Sequence, residues 1–311
     1  MKKYTLILWL VLFATTPIVF AQSAKTDTSI DKPDKKLINA NDSYQYPIQE
    51  GRALFYRDGK YGYLDKSGKE VIPPTYESAD YFSEGLAAVK SGDNWGFIDT
   101  TGKVVIPIKY EDAGGFFNGL SSFVKNGKYG YMDHSEKVII SAKYQVADNF
   151  SENRAAVQSG NKWGLIDKSG KELVSPKYDD IGIFSEGMIW VELDSLYGFL
   201  DSLGNEKIPL KYNWADSYTE GFAAVEIDWK WTYLNKAGKE ITSFKYDDAL
   251  PFSEGAGRVK LNEKWGFING AGNEIIPIKY QSVEGFVNGK AKVKDQSDRE
   301  FYIDKTGREV Q

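Results

Sequence analysis

The chain has 311 residues, 41% of them hydrophobic and 14% aromatic, with a formal charge of −5 and no cysteine. This composition supports a buried core and excludes disordered and fibrous classes. The acid excess excludes the basic footprint of a nucleic-acid binder, and without cysteine neither a disulfide nor a lipid-bearing thiol is available, so packing alone must hold the fold.

Residues 1–21 read as a secretory signal peptide. Lys2 and Lys3 form a charged start, 6–13 an apolar run, and Val19-Phe20-Ala21 places small residues where a signal peptidase reads. The apolar stretch is short for a bilayer and is interrupted by Thr15, Thr16 and Pro17, which disfavours a retained anchor. Cleavage removes two lysines, takes the charge from −5 to −7, and leaves an exported protein in the periplasm, on the outer surface or secreted. Residues 22–49 are polar and read as a flexible leader. A repeat β domain then fills 50–311.

That domain has a period. The pairs Tyr61-Gly62, Trp95-Gly96, Tyr129-Gly130, Trp163-Gly164 and Tyr197-Gly198 are each 34 residues apart; Trp231-Thr232 keeps the place without glycine, and Trp265-Gly266 restores it. Tyr76, Tyr110, Tyr144, Tyr178, Tyr212, Tyr246 and Tyr280 march in step. So do Phe82, Phe116, Phe150, Phe184, Tyr218, Phe252 and Phe286, and Glu-Gly pairs open most units. Eight units result, the last carrying Glu300-Phe301 in place of the aromatic-Gly pair and stopping after its strand at Val310.

A 34-residue period also suits helical repeats, but each unit carries Gly and Asx turn signals and no long apolar pattern of helical spacing. In the unit that starts at Leu86, LAAVKSGDNWGFID reads as a hairpin, DTTG as a turn, KVVIP as a third strand ending at Pro107, and DAGGFF as a short fourth. Val104-Val105-Ile106 is apolar on both faces, as expected of strands covered on both sides. The reading is therefore all-β: eight tandem β-meander repeats, with a β-propeller-like ring favoured and an open β-solenoid the alternative. In the ring, residues 40–49 would supply the segment that the last unit lacks.

KWGLIDKSGKELVSPKYDD (162–180) and KWGFINGAGNEIIPIKYQS (264–282) resemble the WG-repeat, or KWG-repeat, family of bacterial proteins. The resemblance implies an all-β repeat array, usually non-enzymatic and often exported, and brings no catalytic residues. Thr232, Glu300 and Phe301 depart from the pattern and single out units six and eight as places where packing should differ.

The repeated residues Trp95, Gly96, Tyr110, Trp163, Gly164, Tyr178, Trp265, Gly266 and Tyr280 have a structural explanation, since each unit must fit its neighbours in the same way. Glycine beside the aromatic admits a neighbouring strand or ring, and the Lys-Tyr tyrosine is expected to lay its ring on the next unit and give its hydroxyl to a backbone group. Asp65, Asp99, Asp133, Asp167, Asp201 and Asp304 read as turn residues rather than calcium ligands, because one carboxylate per unit does not converge. With His134 the sole histidine, no His-based triad and no His/Cys zinc site can be assembled. No cofactor is implied.

Function is sought where one unit departs from its siblings. Trp190 stands where others have Ala88, Ser122, Ala156 or Ala224; Trp214 where others have Ser78, Asp112 or Asp180; Trp229 in a hairpin turn occupied elsewhere by Asp93, Gly127 and Asn161. With Tyr218 these form a candidate aromatic platform for a peptide or a sugar; local repacking around Thr232 is the plainer account. The expected function is non-catalytic binding of another protein or peptide, with a cell-envelope glycan as the alternative and a carboxylate-based hydrolase a third reading.

Overall fold

The computed structural model describes residues 36–39 and 43–311. The signal-peptide reading falls outside these residues. Every regular element described is a β-strand, and the strands form eight antiparallel sheets in sequence order. The chain divides into two compact units, the first ending at Lys177 and the second running from Tyr178 to Gln311.

Each typical sheet holds four consecutive strands, the blade unit of propeller architectures. In the second sheet they are Ser78–Ala79, Leu86–Ser91, Asn94–Asp99 and Val104–Tyr110. The sequence period and the sheets are out of phase by one strand. Asp112–Phe117, expected as the fourth strand of its own unit, pairs instead with Leu120–Lys125 and opens the following sheet. Likewise Ser43–Gln49 pairs with Arg52–Arg57, and Lys36–Asn39 with Ser43–Gln49, in a five-stranded first sheet, so 36–39 and 43–49 are strands where a leader is expected and they pair in the first sheet rather than in the last. The last sheet has its own fourth strand, Glu309–Val310, on Glu300–Asp304.

Two tight turns per repeat set this register. At Asp58-Gly59 and at Glu84-Gly85 both central residues are left-handed (φ 51° and 80°; 54° and 83°), the I′ geometry whose twist matches that of the flanking strands. Glutamate is a poor residue for that backbone region, and its carboxylate supplies the reason for its recurrence. Glu50 accepts the amides of Glu84 and Gly85 at 2.8 Å each, and Glu84 accepts that of Gly119 at 2.9 Å. In the second unit Glu220 accepts Glu254 and Gly255 at 2.6 and 2.7 Å, and Glu254 accepts Gly289 at 3.0 Å. Within each compact unit these glutamates tie down the equivalent turn of the next sheet.

The Asp-x-x-Gly turns hold by side chain. Asp65 accepts the amides of Ser67 (2.8 Å) and Lys69 (3.0 Å) and the Ser67 hydroxyl (2.6 Å); these bonds hold its carboxyl below the usual range. Asp99, Asp133, Asp167 and Asp304 repeat the arrangement. Asn235 and Asn269 make the same two amide bonds, so the acceptor oxygen rather than the charge is what the turn requires.

The core lies between sheets. Leu86, Ala88, Phe97 and Ile106 of the second sheet pack with Tyr110, Phe116, Phe123 and Met132, and Trp95 covers them. Phe97 meets Phe116 at 5.0 Å, Tyr131 meets Phe150 at 4.8 Å, and Phe267 meets Phe286 at 5.0 Å, so within each compact unit rings of the Phe82 series reach the preceding sheet. The Lys-Tyr tyrosines do lie on the next sheet, as Tyr110 on Phe123 at 5.3 Å. Three of their hydroxyls do not reach backbone as expected: Tyr110 donates to the Glu136 carboxylate, and the Tyr144 and Tyr212 hydroxyls are buried without a hydrogen bond. Each lysine folds over its own tyrosine, Lys143 at 4.9 Å and Lys279 at 5.2 Å. The hydroxyls that bond the next sheet's backbone belong to Tyr63, Tyr131 and Tyr233, donating to the carbonyls of Asp80, Asp148 and Leu250 at 2.6–2.7 Å.

The aromatic-Gly glycine admits a strand. A Cβ on Gly96 would stand 2.7 Å from the Ile106 carbonyl oxygen and the Ile108 Cα, and Gly130, Gly164, Gly198 and Gly266 face the same backbone at 2.5–2.8 Å. Where Thr232 replaces glycine, the sheet keeps three strands, and Trp231 and Leu234 retain only isolated pairings with Tyr246 and Glu240. Thr232 is fully buried there, and its hydroxyl donates to the Thr242 carbonyl at 2.8 Å. Unit six therefore packs differently, as its sequence announced.

Gly96→Ala should destabilise the fold by about 1–3 kcal/mol, the usual cost of forcing atoms into a filled core. Equilibrium denaturant unfolding measures it. A loss within error of zero would show that the fourth strand can retreat without cost.

Candidate functional site

The departures expected to carry function separate into three environments. Tyr218 is not a surface residue: it is 1% exposed, packs edge-on against Phe199 at 5.1 Å and donates to the Asn235 carbonyl at 2.9 Å. It is the sixth sheet's member of the Phe82 series, so its place in the platform is corrected. Its polar tip stays satisfied inside the core.

Trp190 and Trp214 are brought together by a residue that sequence reasoning passed over as ordinary. Tyr197, the aromatic of its aromatic-Gly pair, lies 5.5 Å from Trp190 at 51° and 5.4 Å from Trp214 at 37°. Trp190 is half-buried and Trp214 is 41% exposed. Room for Trp190 comes from Gly182, where a Cβ would fall 2.3 Å from the indole nitrogen. The same backbone place is filled by Asp80, Asp148 and Asp216 in other sheets, each donating its amide to Ala88, Ala156 or Ala224 as Gly182 does to Trp190. A small-large exchange on facing positions therefore accompanies the tryptophan.

Trp229 stands at the tip of the hairpin between Phe222–Ile227 and Lys230–Asn235, 81% exposed, with a left-handed φ of 63°. No aromatic ring lies against it among the described residues. It is joined to Trp214 through Glu226, which is the strand partner of Trp214 and whose carboxylate accepts the Trp229 amide.

Carboxylates surround the aromatic group. Tyr197 donates to Glu192 at 3.2 Å, and burial, Glu192 and Asp180 together raise its hydroxyl well above the usual tyrosine range. The Trp214 indole donates to Asp216 at 3.0 Å. Among the described residues none of Asp180, Glu192, Asp216 and Glu226 is paired with a lysine or arginine. The signal was present in the sequence: Glu192 and Glu226 fill a column that holds Lys90, Gln158, Lys260 and Lys294 elsewhere.

Asp216 belongs to an acid row with a double period that the single-period reading overlooked. Asp80, Asp148 and Asp216 recur in alternate sheets, and Asp112, Asp180 and Asp248 recur in the sheets between. Burial pushes the Asp80 carboxyl up to about 7, with neighbouring Asp112 adding to it. Asp216 is pushed by burial to about 6, opposed by the Trp214 indole and reinforced by Asp248. Arg258 is buried near Glu284 and Asp248, and its Nε makes no hydrogen bond. Among the described residues no group of three or more His, Cys, Asp or Glu is placed to hold a metal ion.

The fold thus defines a tandem array of four-stranded antiparallel sheets with its irregularities concentrated in sheets five and six. The chain belongs to the family described as WG containing repeat, which matches seven consecutive segments: 61–95, 95–129, 129–163, 163–197, 197–231, 231–265 and 265–296. No curated protein sequence matches it. Among solved structures it is similar to a eukaryotic initiation factor, at 10% identity and a TM-score of 0.55, covering 91% of this chain and 88% of that one. Looser likenesses are BamB from Moraxella catarrhalis (10% identity, TM-score 0.41, 91% and 98% covered) and the WD40 β-propeller domain of Doa1 (12%, 0.33, 83% and 90%). At 10% identity the likeness to the initiation factor is one of fold alone.

The acid row carries a pH prediction. Folding raises the pKa of Asp80, so the folded chain binds more protons than the unfolded chain between about 3.9 and about 7. Stability from this group therefore declines as pH rises through that window. Asp80→Asn should raise the melting temperature most at pH above 7 and progressively less toward pH 4, measured by thermal scanning across that range. A benefit that grows toward acid would contradict the raised pKa.

Proposed function

We propose that this chain is an exported, non-catalytic repeat scaffold that binds another protein or peptide at the aromatic surface around Trp214 and Trp229. The observation that carries the reading is Trp229, an indole 81% exposed on a left-handed backbone. That position suits the glycine of Gly59 or Gly127, and a bulky side chain there adds backbone strain and exposed apolar area together. Neither helps the fold. Tryptophan is also the residue most enriched at interface hot spots.

The non-catalytic part has two supports. His134 stacks on Phe116 at 4.1 Å and reaches Glu84 at 3.4 Å, and that carboxylate already holds the Gly119 amide. The raised carboxyls Asp80, Asp112, Asp216 and Asp248 fall in four different sheets, which suits a feature of the repeat better than one catalytic pair. Export rests on the sequence of residues 1–21 alone. A glycan could also stack on the open Trp214 ring, so both ligand classes belong in the test.

The experiment is selection from a displayed random-peptide library in parallel with a panel of envelope glycans, on the natural protein and on the Trp214→Ala/Trp229→Ala variant. Peptides should be retained by the natural protein and bind the variant at least about tenfold more weakly, as removal of a hot spot requires. Retention of glycans alone would overturn the protein-binding reading. Peptides that bind both proteins equally would place the site elsewhere.

A further inference from the structure

We propose that the aromatic group of Trp190, Tyr197 and Trp214, with the carboxylates of Asp180, Glu192 and Asp216, receives a lysine or arginine side chain from a basic peptide segment. The inference rests on the peptide-binding reading above and names the chemistry of the partner.

The chain itself supplies the first argument. In the seventh sheet Lys260 is the strand partner of Trp265, and its ammonium lies over the indole at 5.8 Å. In the second sheet Lys90 holds the same place opposite Trp95. The seventh sheet thus shows that this backbone arrangement can bring a cation from the facing strand onto the outer aromatic. In the fifth sheet the facing residue of Tyr197 is Glu192. An anion thus stands where the seventh sheet has Lys260, and two indoles, Trp190 and Trp214, flank the tyrosine ring.

Charge supplies the second argument. Carboxylates beside aromatic faces favour a cation in two ways: the rings offer the negative faces of their quadrupoles, and the acids offer full charge. Glu192 and Asp180 lie close enough to Tyr197 to raise its hydroxyl, and Asp216 holds the Trp214 indole edge. No lysine or arginine of the described residues is paired with any of these acids. An arginine or lysine arriving from outside would be the first cation there, and the chain's formal charge of −5 favours its approach.

The site is also built to hold its shape. Trp190 is seated on Gly182, at a distance no side chain there would allow, and packs on the core of Tyr212, Tyr218 and Val225. Trp214 is fixed at its nitrogen by Asp216. Such rings are held in place before any ligand arrives, which lowers the entropy cost of binding.

The test measures fluorescence anisotropy of three labelled peptides against the full chain: arginine alternating with glycine, glutamine with glycine, and glutamate with glycine. The arginine peptide should bind and the other two should not. Trp214→Ala and Glu192→Gln should each weaken that binding by about tenfold, the scale of a partly desolvated cation–π or charged contact, while Trp214→Phe keeps most of it. Circular dichroism of each variant confirms that the sheets remain. Equal binding of the glutamine peptide, or arginine-peptide binding unchanged in both Trp214→Ala and Glu192→Gln, would overturn the cation site. A selected peptide that needs Trp214 and Trp229 but contains no lysine or arginine would leave peptide binding standing and remove this inference alone; failure of every peptide would remove both.

Discussion

One close approach governs the repeat: the backbone of each fourth strand runs against the Cα of the glycine that follows the outer aromatic. At Gly62, Gly96, Gly130 and Gly164 the space a Cβ would need is already occupied by peptide atoms at 2.5–2.7 Å. Because strand backbone, not a flexible side chain, fills that space, no other residue fits without moving the strand. The register shifts beside it, as between Trp95 and Phe97, mark where the fourth strand bends to make the contact. Sheet six is the chain's own variant. With Thr232 in the glycine's place, the segment that should be its fourth strand keeps only pairings at its two ends.

Around that constraint the sheets interlock through three recurring devices. Rings of the Phe82 series reach back to the preceding sheet. Tyr63, Tyr131 and Tyr233 reach forward and bond the next sheet's carbonyls. Glutamates in strained turns cap the following turn. All three act between neighbours, as in other quasi-one-dimensional repeats, so a change in one sheet is felt first by the sheets beside it. It is physically consistent that the lost glycine of sheet six, the exposed Trp214 and Trp229, and the enlarged Trp190 on Gly182 occur in adjacent sheets.

That concentration separates packing from function. Aromatic residues of the recurring series are consumed by the core, and Tyr218 shows that this holds even in sheet six. In sheets five and six, Trp214 and Trp229 remain at the surface, and among the described residues Asp180 and Glu192 beside Tyr197 are paired with no lysine or arginine. In each compact unit burial holds a carboxyl of the acid row above the ordinary range, Asp80 in the first and Asp216 in the second.

Period, strand content, the aspartate turns and the irregularity of unit six were legible in the sequence, because each depends on local chemistry or on repetition that spacing alone reveals. Asx turns form within five residues, and glycine is demanded by contacts inside one sheet. What the sequence left open was decided by the pairing of strands and the stacking of faces. The phase of the sheets placed Asp112–Phe117 and Ser43–Gln49 with the residues that follow them, a choice made by hydrogen bonding rather than by motif. Burial removed Tyr218 from the platform, and proximity put Tyr197 between Trp190 and Trp214. Those outcomes depend on which residues meet across sheets, and side chains distant in sequence become neighbours only once the layers are stacked.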